Sequence, residues 1–323
     1  MKREKYELLY KQAKSLLEGE TDGIAAMSNM AALIHEAFGF WWTGFYRVVN
    51  GALLLGPFQG PIACMHIGYG KGVCGTAWKE RRTQVVPDVE LFAGHIACSS
   101  ESRSEIVVPV FQNGRVVAVL DIDSRELSTF DEEDASGLEK MVMLLEDKDM
   151  GLPEAEIYLA AGCFWGAEKY LGLIDGVTFT EVGFANGTKE SPSYEEVYTD
   201  MTGHAETVHL RYNPRTVRLS FLLEMYFKAI DPTSLNQQGE DKGTRYRTGI
   251  YYSDPSDRAI IDDVVARVAQ EYSEPLCVEV EPLRCFYKAE EHHQQYLAKN
   301  PTGYCHLPLA LFELASKAKD RGN

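Results

Sequence analysis

A cysteine directly ahead of a helix is the strongest chemical lead in this sequence. Gly162-Cys163-Phe164-Trp165-Gly166-Ala167-Glu168 follows Ile157-Tyr158-Leu159-Ala160-Ala161, which reads as a buried strand, and continues as a helix. Cys163 then sits at or near a helix N-terminus, where free amides and the helix dipole stabilise a thiolate, the attacking form of the side chain. Phe164 and Trp165 could wall a small apolar pocket beside it. From spacing alone, an inert cysteine buried at a strand–helix corner is an equal reading. A second lead is a carboxylate pair: Asp121 and Asp123 lie two apart on one strand, so both side chains face the same way. Burying two carboxylates together is costly unless a cation or a shared proton satisfies them, and the alternative is a solvent-facing strand end.

Seven cysteines in all make thiol or metal chemistry the first question. Cys64, Cys74 and Cys98 fall in loop-like or Gly-rich segments, spaced too widely for a zinc knuckle. Gly68-Tyr69-Gly70-Lys71-Gly72-Val73-Cys74-Gly75 starts a helix, yet lacks the strand–GxxxxGK[ST]–helix pattern of a nucleotide loop. His292, His293, Cys305 and His306 could be drawn as a zinc site. Adjacent histidines on a helix diverge, however, and no second CxxC-type pair exists, so no metal is expected. Cys277 and Cys285 are left over, the latter in a strand-like run that suggests packing.

The elements that must hold these groups divide at Glu146-Asp147-Lys148-Asp149-Met150-Gly151-Leu152-Pro153-Glu154, a charged stretch ending in Gly and Pro. The expected domains are residues 1–151 and 152–323. The first opens with amphipathic helices over about Lys5 to Leu17 and Thr21 to Phe38. Strands follow over Phe40 to Val49 and Ala52 to Gln59, joined by Asn50-Gly51, a strong hairpin signal. Two more, Ile106 to Gln112 and Val116 to Ile122, are joined across Asn113-Gly114-Arg115. A helix begins at Asp131, with Leu138, Met141, Val142 and Leu145 at helical spacing. An antiparallel sheet with helices on one face is expected. The second half mixes strands and helices in less regular order.

The formal charge of −16 argues against nucleic acid and against an anionic membrane surface, since both reward basic footprints. The start, MKREKYELLYKQAK, has no apolar run suited to a signal peptide or a spanning helix. A cytoplasmic address with reduced thiols is the expectation.

Gly162-Cys163-Phe164-Trp165-Gly166-Ala167-Glu168 resembles the signature of the peptide methionine sulfoxide reductase A family, and the likeness runs from about residue 155 to 310. Pro192 to Val197, Gly203-His204-Ala205-Glu206, Asp231-Pro232, Gln238 to Asp241, Gly243 to Arg247, His293 to Leu297 and Gly303-Tyr304-Cys305 follow in that family's order. The resemblance implies a two-layer α/β domain with a mixed sheet. It implies Cys163 as nucleophile, leaving methionine and becoming a sulfenic acid, and Glu206 as an acid kept protonated by burial. Tyr194 and Tyr246 would hold the sulfoxide oxygen, with Asp241 as polar support. Phe164 and Trp165 would take the substrate methyl group, favouring the S epimer. Cys305 would resolve the sulfenic acid. Some relatives carry a further cysteine that relays the disulfide, but none follows Cys305 here, which implies a direct Cys163–Cys305 disulfide reduced by thioredoxin.

The first half resembles free methionine-(R)-sulfoxide reductases, which are built on a GAF domain, through Leu55 to Gly60, Gly72-Val73-Cys74-Gly75, Gly94-His95-Ile96-Ala97-Cys98, Ser104 to Val107 and Leu120 to Ser124. The resemblance implies a GAF-like antiparallel sheet with helices. By it Cys98 is the nucleophile, Cys64 its resolving partner, and Cys74 a neighbour with a role in disulfide relay. Glu105, Asp121 and Asp123 would bind the substrate ammonium and assist protonation of the oxygen, and Trp42 would pack on the methyl group. A carboxylate-lined closed pocket suits a free zwitterionic amino acid and not a peptide, whose amine is blocked.

Together these imply a bifunctional methionine sulfoxide repair enzyme needing no metal or organic cofactor. Its partners would be thioredoxin, oxidised proteins and free methionine sulfoxide, with a homodimer through the GAF domain a further expectation. Because GAF domains are more often sensors than enzymes, the rival reading makes the first half a non-catalytic ligand or redox sensor, or a dimerisation scaffold.

Overall fold

The computed structural model describes residues 2–49, 51–94 and 101–320. Contacts divide the chain into two compact units, Met1–Pro153 and Glu154–Asn323.

In the first unit, α1 (Lys2–Leu16) and α2 (Gly23–Phe38) precede β1 (Trp42–Val49), β2 (Ala52–Gln59), β3 (His66–Gly68), α3 (Gly72–Glu80), β4 (Gln84–Val86), β5 (Ser104–Gln112), β6 (Arg115–Ser124) and α4 (Glu132–Val142). The strands form one antiparallel sheet in the order β3-β2-β1-β6-β5-β4. Val49 pairs with Ala52, so the first hairpin closes over two residues. Gly51 takes the positive φ such a turn requires, and Asn50 lies outside the described residues. The β5–β6 hairpin closes over Asn113 and Gly114, both at positive φ, and Arg115 already belongs to the strand.

Asp131 caps α4 with a reciprocal capping box through Asp134. Asp134 also accepts hydrogen bonds from Lys2 and Tyr6, which pins α1 to α4. Helices α1, α2 and α4 bury Tyr6, Met27, Met30, Ile34, Leu138 and Met141 against one sheet face. The expectation of helices on that face alone needs correction. Helix α3 packs Val73, Ala77 and Trp78 on the opposite face, against Tyr46, Leu53, Val107 and Val119.

The second unit contains β7 (Ala155–Ala161), α5 (Phe164–Gly172), β8 (Val177–Ala185), α6 (Tyr194–Tyr198), β9 (Ala205–Tyr212), α7 (Leu219–Ala229), β10 (Gln237–Gln238), β11 (Asp241–Lys242), β12 (Thr248–Tyr252), α8 (Asp257–Ala269), β13 (Glu279–Pro282), β14 (Phe286–Lys288), α9 (Tyr296–Lys299) and α10 (Leu309–Lys317). Six strands make a mixed sheet in the order β13-β12-β7-β9-β8-β14, in which only β12 and β13 run parallel. Helices α5, α7, α8 and α10 bury one face over a core that includes Leu159, Tyr170, Val208, Leu222, Ile250 and Ile261. The Tyr226 hydroxyl on α7 donates to the Ala160 carbonyl at 2.9 Å, fixing the end of β7. Cys163 begins the turn from there.

Two candidate active sites

Strand β7 ends in Gly162, whose φ of 77° turns the chain; a Cβ there would lie 2.6 Å from the Gln238 side chain. Cys163 is the N-cap of α5 and is 5% exposed. Burial pushes its thiol pKa up, and the Glu206 and Asp241 carboxylates and Cys305 add to that, against a backbone hydrogen bond from Trp165. Glu206, on β9 opposite Phe184 of β8, is fully enclosed. Its Oε2 accepts the Phe164 amide at 3.0 Å, while Oε1 has no partner. Desolvation raises its pKa to about 8, with the Phe164 amide and Arg245 opposing and Asp241 assisting. The side chain is thus an acid at neutral pH.

Tyr194 opens α6, capped by Ser193, and its amide donates to Glu290 Oε1 at 2.9 Å. Burial raises its pKa, with Glu206, Tyr246 and Cys163 adding to it. Tyr246 is raised to about 12 by burial and Glu206. Both are therefore hydroxyl donors within the field of Glu206 and Cys163. Phe164 is buried, and Trp165 stacks on Tyr296 at 3.9 Å and donates Nε1 to His293 Nδ1 at 3.1 Å. Cys305 is a half-buried free thiol lying against Gly166, where a Cβ would come within 2.9 Å of its Sγ. One ligand atom each of Cys163, Asp241 and His306 lie within 4.8 Å of one another.

Sequence reasoning overlooked three contributors here. His293 walls Phe164, Trp165 and Tyr194. The Tyr304 hydroxyl lies beside Asp241, and burial together with that charge holds its proton on. His306 groups with Cys163 and Asp241 rather than with His292 and His293. Its position next to Cys305 was the available signal. Cys277 and Cys285 stand apart, their thiols directed at the carbonyls of Thr233 and Gly187.

In the first unit, β5 and β6 place Glu105 directly opposite Asp123, with Asp121 two residues on and level with Gly44 of β1. Glu105 and Asp121 are each 6% exposed, so these carboxyls do not form a solvent-facing strand end. Cys74, in the first turn of α3, faces them with Sγ 4.0 Å from Glu105 Oε1. Desolvation and then Asp121 raise the Cys74 and Glu105 pKa values. Asp121 is raised by desolvation and Asp123, against hydrogen bonds from Cys74 and Glu105. Asp123 is pushed to about 6 by desolvation, with Ser102 opposing.

The pocket over these groups is lined by Trp41, Trp42, Tyr46, Pro61, Ile62 and Ile67. Trp42 stacks between Tyr46 and Phe58 and donates Nε1 to the Pro61 carbonyl at 3.1 Å. Its ring lies over Gly44, where a Cβ would fall 2.4 Å from it. Clustered buried carboxyls beside aromatic side chains can hold a compact cationic group. Cys64 is disulfide-bonded, and Cys98 lies outside the described residues. No helix among the described residues is long and apolar enough to cross a membrane.

Residues 155–322 match the family model for peptide methionine sulfoxide reductase, and residues 25–147 match that for the GAF domain. The peptide methionine sulfoxide reductase of Lachnoclostridium phytofermentans is 53% identical over 162 residues, covering 50% of this chain and 98% of that protein. Among solved structures, free methionine-R-sulfoxide reductase of Neisseria meningitidis in complex with its substrate is 50% identical, covering 44% of this chain and 86% of that one, with a TM-score of 0.43. Mxr1 of Saccharomyces cerevisiae in reduced form is 38% identical, covering 47% and 88%, with a TM-score of 0.46. With the reductase model matched across half the chain and a GAF domain ahead of it, the chain belongs to the peptide methionine sulfoxide reductase family and is a methionine sulfoxide reductase.

Proposed function

We propose that the chain is bifunctional, its 152–323 domain reducing methionine-(S)-sulfoxide, in proteins and free, and its 1–151 domain reducing free methionine-(R)-sulfoxide. The observation that carries the S-epimer assignment is a buried thiol, Cys163, beside a carboxyl, Glu206, held as an acid by a pKa of about 8. Reducing a sulfoxide needs a nucleophile on sulfur and a proton for the departing oxygen. Cys163 attacks the sulfur while Glu206 protonates the oxygen, held by the Tyr194 and Tyr246 hydroxyls. Phe164 and Trp165 enclose the methyl group, and Asp241 supports the oxygen side. Methionine leaves, Cys163 is oxidised to a sulfenic acid, and Cys305 condenses with it to a disulfide and water. Thioredoxin, as dithiol reductant, returns both thiols.

In the first domain, Cys98 attacks and Cys64 resolves. Cys64 is disulfide-bonded, the state a resolving thiol reaches at the end of the cycle. Cys74, with its Sγ 4.0 Å from Glu105 Oε1, serves as a relay thiol. Glu105, Asp121 and Asp123 receive the ammonium and supply the proton, and Trp42 packs on the methyl group. Peptide-bound methionine has no ammonium to offer, so this site takes the free amino acid.

Chiral separation of free methionine R- and S-sulfoxide after incubation with enzyme and thioredoxin tests both assignments. Cys98→Ser is expected to lose R reduction alone and Cys163→Ser S reduction alone. If the unsubstituted protein leaves the R epimer untouched, the first domain is a sensor or scaffold.

A further inference from the structure

We propose that His306 is the base that takes the Cys163 thiol proton, with Asp241 stabilising the resulting imidazolium, so that the segment bearing the resolving cysteine also activates the attacking one. The inference deepens the reductase reading of Cys163 and rests on it.

The geometry carries it. A ring nitrogen of His306, Sγ of Cys163 and a carboxylate oxygen of Asp241 all lie within 4.8 Å of one another. The ring rests against both glycines of the Cys163 turn: an added Cβ would come 3.5 Å from Nε2 at Gly162 and 3.4 Å from Nδ1 at Gly166. Both ring nitrogens are shut off from solvent and neither makes a hydrogen bond of ordinary geometry, the Ala161 carbonyl being a neighbouring acceptor. A half-buried imidazole in one cluster with a thiol and a carboxylate brings together the three groups, nucleophile, base and orienting acid, that activate thiols elsewhere. Catalytic hydrogen bonds are often long before substrate arrives, so a small ring rotation is all the transfer needs.

The thiol requires such help. Cys163 is buried beside Glu206, and helix α5 alone must otherwise hold its thiolate. Desolvation keeps the His306 ring neutral and able to accept, while Asp241 and the Ala161 carbonyl favour the protonated form once it appears. Other charges bear on the group indirectly: Glu206 on Cys163, Lys169 on Cys305, and Tyr304 through Asp241. The proton balance is simple. His306 takes one proton from Cys163 as Sγ bonds to the substrate sulfur, and Glu206 gives one to the sulfoxide oxygen. The hydroxyl then passes to Sγ as the bond between the two sulfurs breaks, releasing methionine and the sulfenic acid, and the imidazolium proton restores Glu206. One thiol and one sulfoxide are consumed. The arrangement also has an order built in: when Cys305 moves to close the disulfide, His306 moves with it, after its proton transfer is finished.

The test is the pH dependence of Cys163 alkylation by iodoacetamide in the reduced full-length protein, read by peptide mass spectrometry for wild type, His306→Asn and His306→Gly. Alkylation needs no sulfoxide, so its outcome is independent of whether the substrate assignment holds. His306→Asn is expected to slow alkylation about tenfold at pH 7, and the curves to converge at alkaline pH where the thiol ionises unaided. Single-turnover methionine formation should fall about 100-fold. Added imidazole should restore both rates in His306→Gly, which a purely structural role would not allow. Superimposable pH–rate curves for wild type and His306→Asn, or no effect of imidazole on His306→Gly, would overturn the proposal.

Discussion

Glu206 accepts the amide hydrogen of Phe164, the residue after Cys163, at 3.0 Å, while its second carboxyl oxygen is buried without a partner. The strand carrying the acid is thereby tied to the first turn of the helix carrying the thiol. One hydrogen bond thus sets the spacing of the Cys163 thiol turn and the Glu206 carboxyl.

The raised pKa of Glu206 has a sign that activity should follow. Its acid form prevails below about pH 8 and is lost above it, so reduction of the S epimer should decline through that pH on the alkaline side. Glu206→Gln should lower single-turnover methionine formation by roughly 10²–10⁴ and flatten that limb. Stopped-flow rates across pH 6 to 10 would check this, and an unchanged alkaline limb in the variant would exclude Glu206 as the donor.

The same shift is a statement about stability. Folding holds a proton on Glu206 that the unfolded chain releases near 4.5, so this group's contribution is complete below that pH and lost as pH rises through about 8. Glu206→Gln should therefore gain on wild type as pH rises from 5 to 9, by up to several kcal/mol. Denaturant midpoints at both pH values measure it; a gap that stays constant contradicts the buried acid.

Substrate binding to the first domain should release protons. An ammonium beside Glu105, Asp121 and Asp123 favours their ionised forms, lowering pKa values that burial has raised, to about 6 for Asp123. Calorimetry of free methionine-(R)-sulfoxide binding in two buffers of different ionisation enthalpy should yield net proton release near pH 6. Asp121→Asn should reduce both the release and the affinity, leaving S-epimer reduction unchanged.

Gly166 leaves room for the resolving thiol, since a Cβ there would sit 2.9 Å from Cys305 Sγ. Gly166→Ala should displace Cys305 and slow disulfide formation about tenfold, in line with ordinary overpacking costs, while the first methionine is released at a near-normal rate. Dimedone trapping of the accumulated sulfenic acid distinguishes this from a general loss of activity.

Much of this arrangement was legible in the chain. The strand, Gly162 and helix around Cys163 follow from an apolar run broken by a residue able to take φ 77°. The hairpin turns follow from Asn-Gly pairs. The start of helix α3 is legible but the sheet face it covers is not, because its glycines obscure any amphipathic stripe, although β5 carries the missing signal. Ile106-Val107-Val108-Pro109-Val110 is apolar without alternation, and all five residues are buried, as in a strand covered on both faces. The facing of Glu105 and Asp123 is not legible in the sequence, because a β-bulge between Val110 and Phe111 shifts the hairpin by one residue from the register the Asn113-Gly114 turn alone would set. His306 was visible but was weighed only as a zinc ligand, and its approach to Cys163 depends on a return of the chain over more than a hundred residues.

The central claim, one thiol cycle per epimer, is met most directly by mapping disulfides after a single turnover. The fully reduced protein would be given one equivalent of free methionine R- or S-sulfoxide, quenched with alkylating agent and digested for mass spectrometry. The account predicts that the R epimer yields a Cys64–Cys98 disulfide with Cys163 and Cys305 reduced, and that the S epimer yields Cys163–Cys305 alone. An R epimer that leaves every first-domain cysteine reduced, or that oxidises Cys163, would contradict it.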